Sequence, residues 1–177
     1  MQADDYGTTG AGTRVELTVE VPVDRVWEAV SDPARHGEWS PECVHGAWLD
    51  GHTRAEPGAR FEARNRFPHG LTTHVICVVT AAEAPHSFGW QVYAEDPDAE
   101  EPFALWHYAL RPANDPGRTV VHQTFEHGPG DSGLRDLQRA DPANAAAVLQ
   151  QRLDQLRDNM TATLRGMESA LRDGQGT

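Results

Sequence analysis

The C-terminal third of the chain constrains the fold most. Between Ala143 and Leu171, apolar residues recur at Val148, Leu149, Leu153, Leu156, Met160, Leu164, Met167 and Leu171. Steps of three and four place them on one helical stripe. Pro142 suits the first turn, Asp141 stands where a cap belongs, and Gly174 follows the last periodic residue. At 1.5 Å per residue such a helix is roughly 43 Å long. A stripe of that length needs an equally long apolar surface to lie on. A sheet of this chain supplies one; the other partner is a second copy, so a homodimer stays open as an alternative.

The residues before it read mainly as strands. Residues 14–21 alternate strictly, with Val15, Leu17, Val19 and Val21 on one face and Arg14, Glu16, Thr18 and Glu20 on the other. Val23, Val26, Trp27 and Val30 then recur at helical spacing, which predicts a short amphipathic helix over 22–31. Asp32-Pro33 ends it, because the residue before a proline avoids the helical region. A second short helix or turn covers Ala34 to Trp39. Strands are expected over 43–50, 59–67, 72–82, 87–94, 103–111 and 118–127. They are separated by turn signals such as Asp50-Gly51, Pro57-Gly58, Pro68-His69-Gly70 and Asn114-Asp115-Pro116-Gly117. Residues 128–142 read as a loop with at most one helical turn.

The order is strand, two short helices, six strands, long helix. It predicts an α+β domain over 13–172, in which a seven-stranded curved antiparallel sheet wraps the C-terminal helix. The glycine-rich residues 1–12 and residues 173–177 read as flexible tails. One helix cannot fill a sheet that curved, so a pocket is expected between them.

Composition narrows the partners. The formal net charge is −12, and all 15 basic residues are arginine. A chain this acidic repels phosphate backbones and anionic membrane surfaces, so nucleic acid is not expected as a partner. No apolar run approaches the roughly 20 residues of a membrane helix, and the N-terminus lacks the basic start and apolar stretch of a signal peptide. These features point to the cytoplasm, without membrane insertion. Two cysteines, Cys43 and Cys77, give no disulfide framework.

Several stretches carry a family resemblance. They are VPVDRVWEAVSDPARHGEWSPEC at 21–43, GARFEARNRF at 58–67, VTAAEAPHSFGWQV at 79–92, WHYALRP at 106–112, RTVVHQTFE at 118–126 and NMTATL at 159–164. With these the chain resembles the SRPBCC (START-like, helix-grip) superfamily, in its bacterial polyketide cyclase/dehydrase and lipid-transport branch. The resemblance spans about residues 13–171 and implies the helix-grip fold. It fixes no single function, since the superfamily holds carriers, cyclases and dehydratases. That branch often has a tryptophan at the start of the fourth strand, where this chain reads Leu71-Thr72-Thr73-His74. The pocket wall is expected to differ there.

Strand alternation picks the pocket face. With Arg60, Glu62, Arg64 and Arg66 in water, Phe61, Ala63, Asn65 and Phe67 point inward. Phe88 and Trp90 follow on the fifth strand, Trp106 and Tyr108 on the sixth, Gln123 and Phe125 on the seventh. From the helix, Leu156, Asn159 and Met160 face the same space. Asn65 and Gln123 are polar groups in apolar rows and need partners. A turn at 112–117 sets Leu110 against Thr119, Tyr108 against Val121, Trp106 against Gln123 and His107 against His122. The two histidines then pair on the outer face, where a metal would lack further ligands. No metal-binding spacing and no cofactor motif is present.

For chemistry, the candidates are Glu42 as a base raised by desolvation, Tyr108 as a weak acid, and Asn65. Strong acids and bases are scarce on the inward rows. The leading reading is binding of a small hydrophobic molecule, polyketide-like, aromatic or lipid. The alternatives are a cofactor-independent cyclase or dehydratase acting in the same pocket, and a regulatory or interaction module.

Overall fold

The computed structural model describes residues 5–174. Its strands are β1 (Gly12–Val19), β2 (Cys43–Trp48), β3 (Arg60–Arg66), β4 (Thr72–Glu83), β5 (Ser87–Tyr93), β6 (Ala104–Pro112) and β7 (Thr119–His127). Its helices are α1 (Val23–Val30), α2 (Pro33–His36), α3 (Gly133–Ala140) and α4 (Ala145–Asp173). The strands form one antiparallel sheet in the order β1-β7-β6-β5-β4-β3-β2. β1 therefore leaves its neighbour in sequence and pairs with β7, Val15 opposite Gln123 and Leu17 opposite Val121.

The 29 residues of α4 cross the concave side. Leu156, Met160, Leu164, Met167 and Leu171 are buried against it, while Leu149 and Leu153, nearer the start of the helix, are half-buried. The side of the helix away from the sheet is polar and exposed, as one apolar stripe requires. This is the expected helix-grip arrangement.

At the opposite edge, α2 lies flat on the inner face of β2. Asp32 caps it by accepting from the Ala34 amide at 3.0 Å. The close approach needs Gly46, because a Cβ there would meet the backbone of Pro33. A bulge between Cys43 and His45 puts Cys43 on the same inner face as Gly46 and Trp48 and pushes Val44 into solvent. Both cysteines are free thiols.

Three expectations need correction. Residues 128–142 are more than a loop, since they hold α3, a helix of eight residues. Its buried side chains are Arg135 and Gln138, so no apolar period announces it. Of the residues expected within the N-terminal tail, Asp5, Thr8 and Thr9 are docked on that helix, and Gly10 and Ala11 hydrogen-bond to the backbone of His127. Arg135 donates to Asp5 at 2.8 Å and to Thr9 Oγ1 at 2.8 Å, and to the carbonyls of Gly128 at 2.9 Å and Gly130 at 3.1 Å. Fully buried Thr8 donates to Gln138 Oε1 at 2.9 Å. Residues 1–4 and 175–177 lie outside the described residues.

The third correction is the β6–β7 register. Leu110 faces Val121, Tyr108 faces Gln123, Trp106 faces Phe125 and His107 faces Thr124. The hairpin loop sits one residue later at both ends than 112–117, closed by the Ala113 amide on the Arg118 carbonyl at 2.9 Å. A shift of two preserves every inward and outward assignment. It separates His107 from His122 as a direct pair, and His107 Nε2 lies 2.8 Å from Ser87 Oγ instead.

Candidate functional site

The inward rows of β3, β5, β6 and β7 meet α4 across a wall of aromatic rings. Trp90 and Trp106 stack with centroids 5.9 Å apart and planes 10° from parallel. Phe88 and Tyr108 flank Trp90 at 5.2 and 5.9 Å. Phe125 meets the edge of Trp106 at 4.8 Å, and Phe61 packs beside Trp90 at 6.3 Å. β-Strand alternation brings these rings to one side from four neighbouring strands, and offset or edge contacts are the favoured geometry.

Burial distinguishes the depth of the site from its mouth. Phe61, Phe88, Trp90, Tyr108, Gln123, Phe125, Leu156 and Met160 are buried, whereas Asn65, Phe67, Trp106 and Asn159 are half-buried. Asn65, Phe67 and Trp106 face inward by alternation and Asn159 approaches from α4, so solvent reaches the interior beside them. An open groove of about 810 Å³ is lined by Trp90, Trp106 and Phe125 of this wall and by Leu153 and Arg157 of α4, and it extends to outer-face residues such as His107 and Thr124.

The mouth is polar. Arg152 of α4 grips Glu42 with both ends of its guanidinium, at 2.6 and 2.9 Å, and Asn159 donates to the same carboxylate at 3.1 Å. Arg152 also stands over the Phe67 ring, 5.6 Å from its centroid. Both oxygens of Glu42 are therefore occupied, so the side chain tethers the start of β2 to α4 rather than standing free as a base. Asn65 donates to Thr73 Oγ1 at 3.3 Å, the structural partner that its place in an apolar row requires.

Deeper groups are held neutral. Burial pushes the Tyr108 hydroxyl well above its usual range, with the nearby Cys43 adding to the effect. Burial likewise raises both thiols, Cys77 the more strongly. Neither a thiolate nor a phenolate is available at neutral pH.

One residue of the site escaped the sequence reading. The inward row of β7 continues past Gln123 and Phe125 to His127, which is buried and sets its ring 4.7 Å from that of Phe125. Extending the alternation by one step would have found it. Burial, reinforced by the positive charges of Arg152 and Arg135, pushes its pKa down to about 4, against a hydrogen bond to the Phe103 backbone. Among the described residues, four buried side-chain atoms have no hydrogen-bond partner: Arg25 Nη1, Trp39 Nε1, Gln123 Oε1 and His127 Nε2. Two of the four stand on this single row.

A family model described as polyketide cyclase / dehydrase and lipid transport matches residues 11–161. The chain belongs to that family. Among solved structures it is similar to the polyketide cyclase-like protein Cgl2372 from Corynebacterium glutamicum, at 25% identity and a TM-score of 0.64, with 93% of each chain covered. Ms6760 from Mycobacterium smegmatis matches at 21% identity and a TM-score of 0.63, covering 96% of this chain and 95% of the other. NE0264 from Nitrosomonas europaea matches over 100% of both chains at 14% identity and a TM-score of 0.65. The last two show the fold alone. No curated protein matches the chain. In this member of the family the aromatic wall, the Glu42–Arg152 tether and the His127 row occupy the concave side that the fold leaves beneath α4. No helix among the described residues is long and apolar enough to cross a membrane.

Proposed function

We propose that the protein binds a small apolar molecule on the concave side of the sheet, beneath α4, and acts as a carrier or sequestering protein. The observation that carries this reading is the Trp90–Trp106 stack, buried on one ring and half-exposed on the other. Flat ring faces at a solvent-reachable mouth gain by taking another flat or apolar surface out of water. Family membership supports the class of ligand, polyketide-like, aromatic or lipid, and a cytoplasmic setting accompanies it.

A cyclase or dehydratase acting at the same site is the second reading, and one observation favours it. His127 is a neutral base beside the aromatic wall, with a ring nitrogen free to accept a proton. Against it, Glu42 is spent on Arg152, and burial makes Tyr108 a still weaker acid.

The test is native mass spectrometry of the purified protein for a co-purified small molecule, followed by titration with a polycyclic probe. Probe binding should quench tryptophan fluorescence, and the quenching should fall in a folded Trp106→Leu variant. An interior that no probe enters would overturn the carrier and enzyme readings together and leave the interaction module.

A further inference from the structure

The concave site holds polar atoms that the fold does not satisfy, and their chemistry restricts what binds there. Gln123 is 4% exposed and His127 5% exposed. They flank Phe125 on the inward row of β7, four residues and therefore roughly 13 Å of strand apart. Gln123 Oε1 and His127 Nε2 are both without a partner. Buried polar atoms are seldom left so, because each costs the free energy of its lost water.

We propose that the site selects an uncharged molecule that donates a hydrogen bond. A hydroxyl of the bound molecule donates to His127 Nε2, the Gln123 amide takes a second polar group, and the apolar body lies on Phe125 between them. The inference rests on the pocket reading above and adds to it which polar groups the occupant carries.

His127 decides the sign of the hydrogen bond. Burial and the positive charges of Arg152 and Arg135 disfavour the imidazolium. We take the neutral ring as the Nδ1–H tautomer, which leaves the lone pair on the unpartnered Nε2. With its pKa near 4, only about one ring in a thousand is protonated at pH 7. Nε2 therefore accepts and does not donate.

A carboxylate placed against that lone pair would meet repulsion, or would have to recruit a proton from this rare state. The two arginines whose fields reach His127 do not offer themselves to an anion either. Arg152 is held by Glu42 at 2.6 Å and Arg135 by Asp5 at 2.8 Å. Gln123 is less decisive, since its amide can turn to present oxygen or nitrogen. It accommodates a second hydroxyl or a carbonyl equally.

Three probes of nearly one shape test this: naphthol, methoxynaphthalene and naphthoate, substituted at the same ring position and titrated calorimetrically into the full-length protein. Naphthol should bind about tenfold tighter than methoxynaphthalene, as one additional hydrogen bond in a dry site provides, and naphthoate should bind weakest. In His127→Phe, naphthol should drop to the level of methoxynaphthalene while methoxynaphthalene itself keeps its affinity. Nitrogen NMR of histidine-labelled wild-type protein gives a readout that needs no variant to fold. The unprotonated nitrogen of His127 should shift on adding naphthol and stay in place with methoxynaphthalene. Equal affinity for naphthol and methoxynaphthalene, a nitrogen resonance indifferent to naphthol, or tightest binding of naphthoate each overturns the proposal and leaves the pocket intact. Failure of all three probes to bind overturns the pocket as well.

Discussion

Lowering the pH from about 7.5 to about 4.5 should weaken the fold by a step that belongs to His127. In the folded protein this ring takes a proton only near pH 4, whereas in the unfolded chain it does so near the ordinary value of about 6.5. Between those values the unfolded state binds a proton that the folded state refuses. Stability therefore falls as the pH drops through this window and levels off below about 4. A difference of about 2.5 pKa units is worth at most about 3 kcal/mol, and screening by solvent at the mouth trims it to about 2 kcal/mol. Burial also lowers His36 and His107, so the whole protein loses more than this. The part due to His127 is isolated by urea denaturation of wild type and His127→Gln at both pH values. The variant should lose about 2 kcal/mol less on acidification. If both proteins lose the same amount, or if NMR shows the His127 ring titrating near 6.5, the claim that burial and two arginines hold it neutral is refuted.

Three further outcomes are expected. Leu156 is 3% exposed beneath α4, so Leu156→Asp sets an unpaired charge in an apolar interface and should unfold the domain; an unchanged melting temperature would show that the stripe is not buried. Gly46→Ala drives a methyl group into the backbone of Pro33 and should cost about 1–3 kcal/mol by lifting α2 from β2, whereas wild-type stability in urea would refute the close packing. The β5–β6 loop carries Glu95, Asp96, Asp98, Glu100 and Glu101, of which Asp98 is paired with Arg60 at 2.7 Å. Its field should slow anionic ligands, so their binding should strengthen with salt and the effect should vanish when the five become amides. Tight, salt-weakened association with an acyl carrier protein at this loop would contradict it.

Much of the architecture was legible because it is written in apolar spacing. The α4 stripe, all seven strands and every inward assignment on β3, β5, β6 and β7 follow from periods of 3.6 and 2. What resisted reading is held by polar groups. α3 buries an arginine and a glutamine, so hydrophobic periodicity is blind to it, and the docking of Asp5, Thr8 and Thr9 depends on partners about 130 residues away. The β6–β7 register turned on where the loop closes, which alternation does not specify. At the site, the aromatic wall came from the sequence, but the Glu42–Arg152 tether joins residues 110 positions apart and has no local signal. His127 was visible in principle. It continues the alternation of Gln123 and Phe125 by one step, at the last residue of β7.

The pairing of β1 with β7 has a consequence for how the chain is made. β1 ends at Val19 and its partner begins at Thr119, 100 residues later. At the usual pace of synthesis, 5–20 residues per second, on the order of 5–20 s pass between the emergence of the two strands. β2 through β6 can pair in turn as they leave the ribosome, each with the strand just before it. β1 cannot, and its apolar residues Val15, Leu17 and Val19 wait without a neighbour until nearly the whole sheet is in place. The first strand translated is the last to be paired, and the Arg135 anchor on residues 5–9 can close only after that.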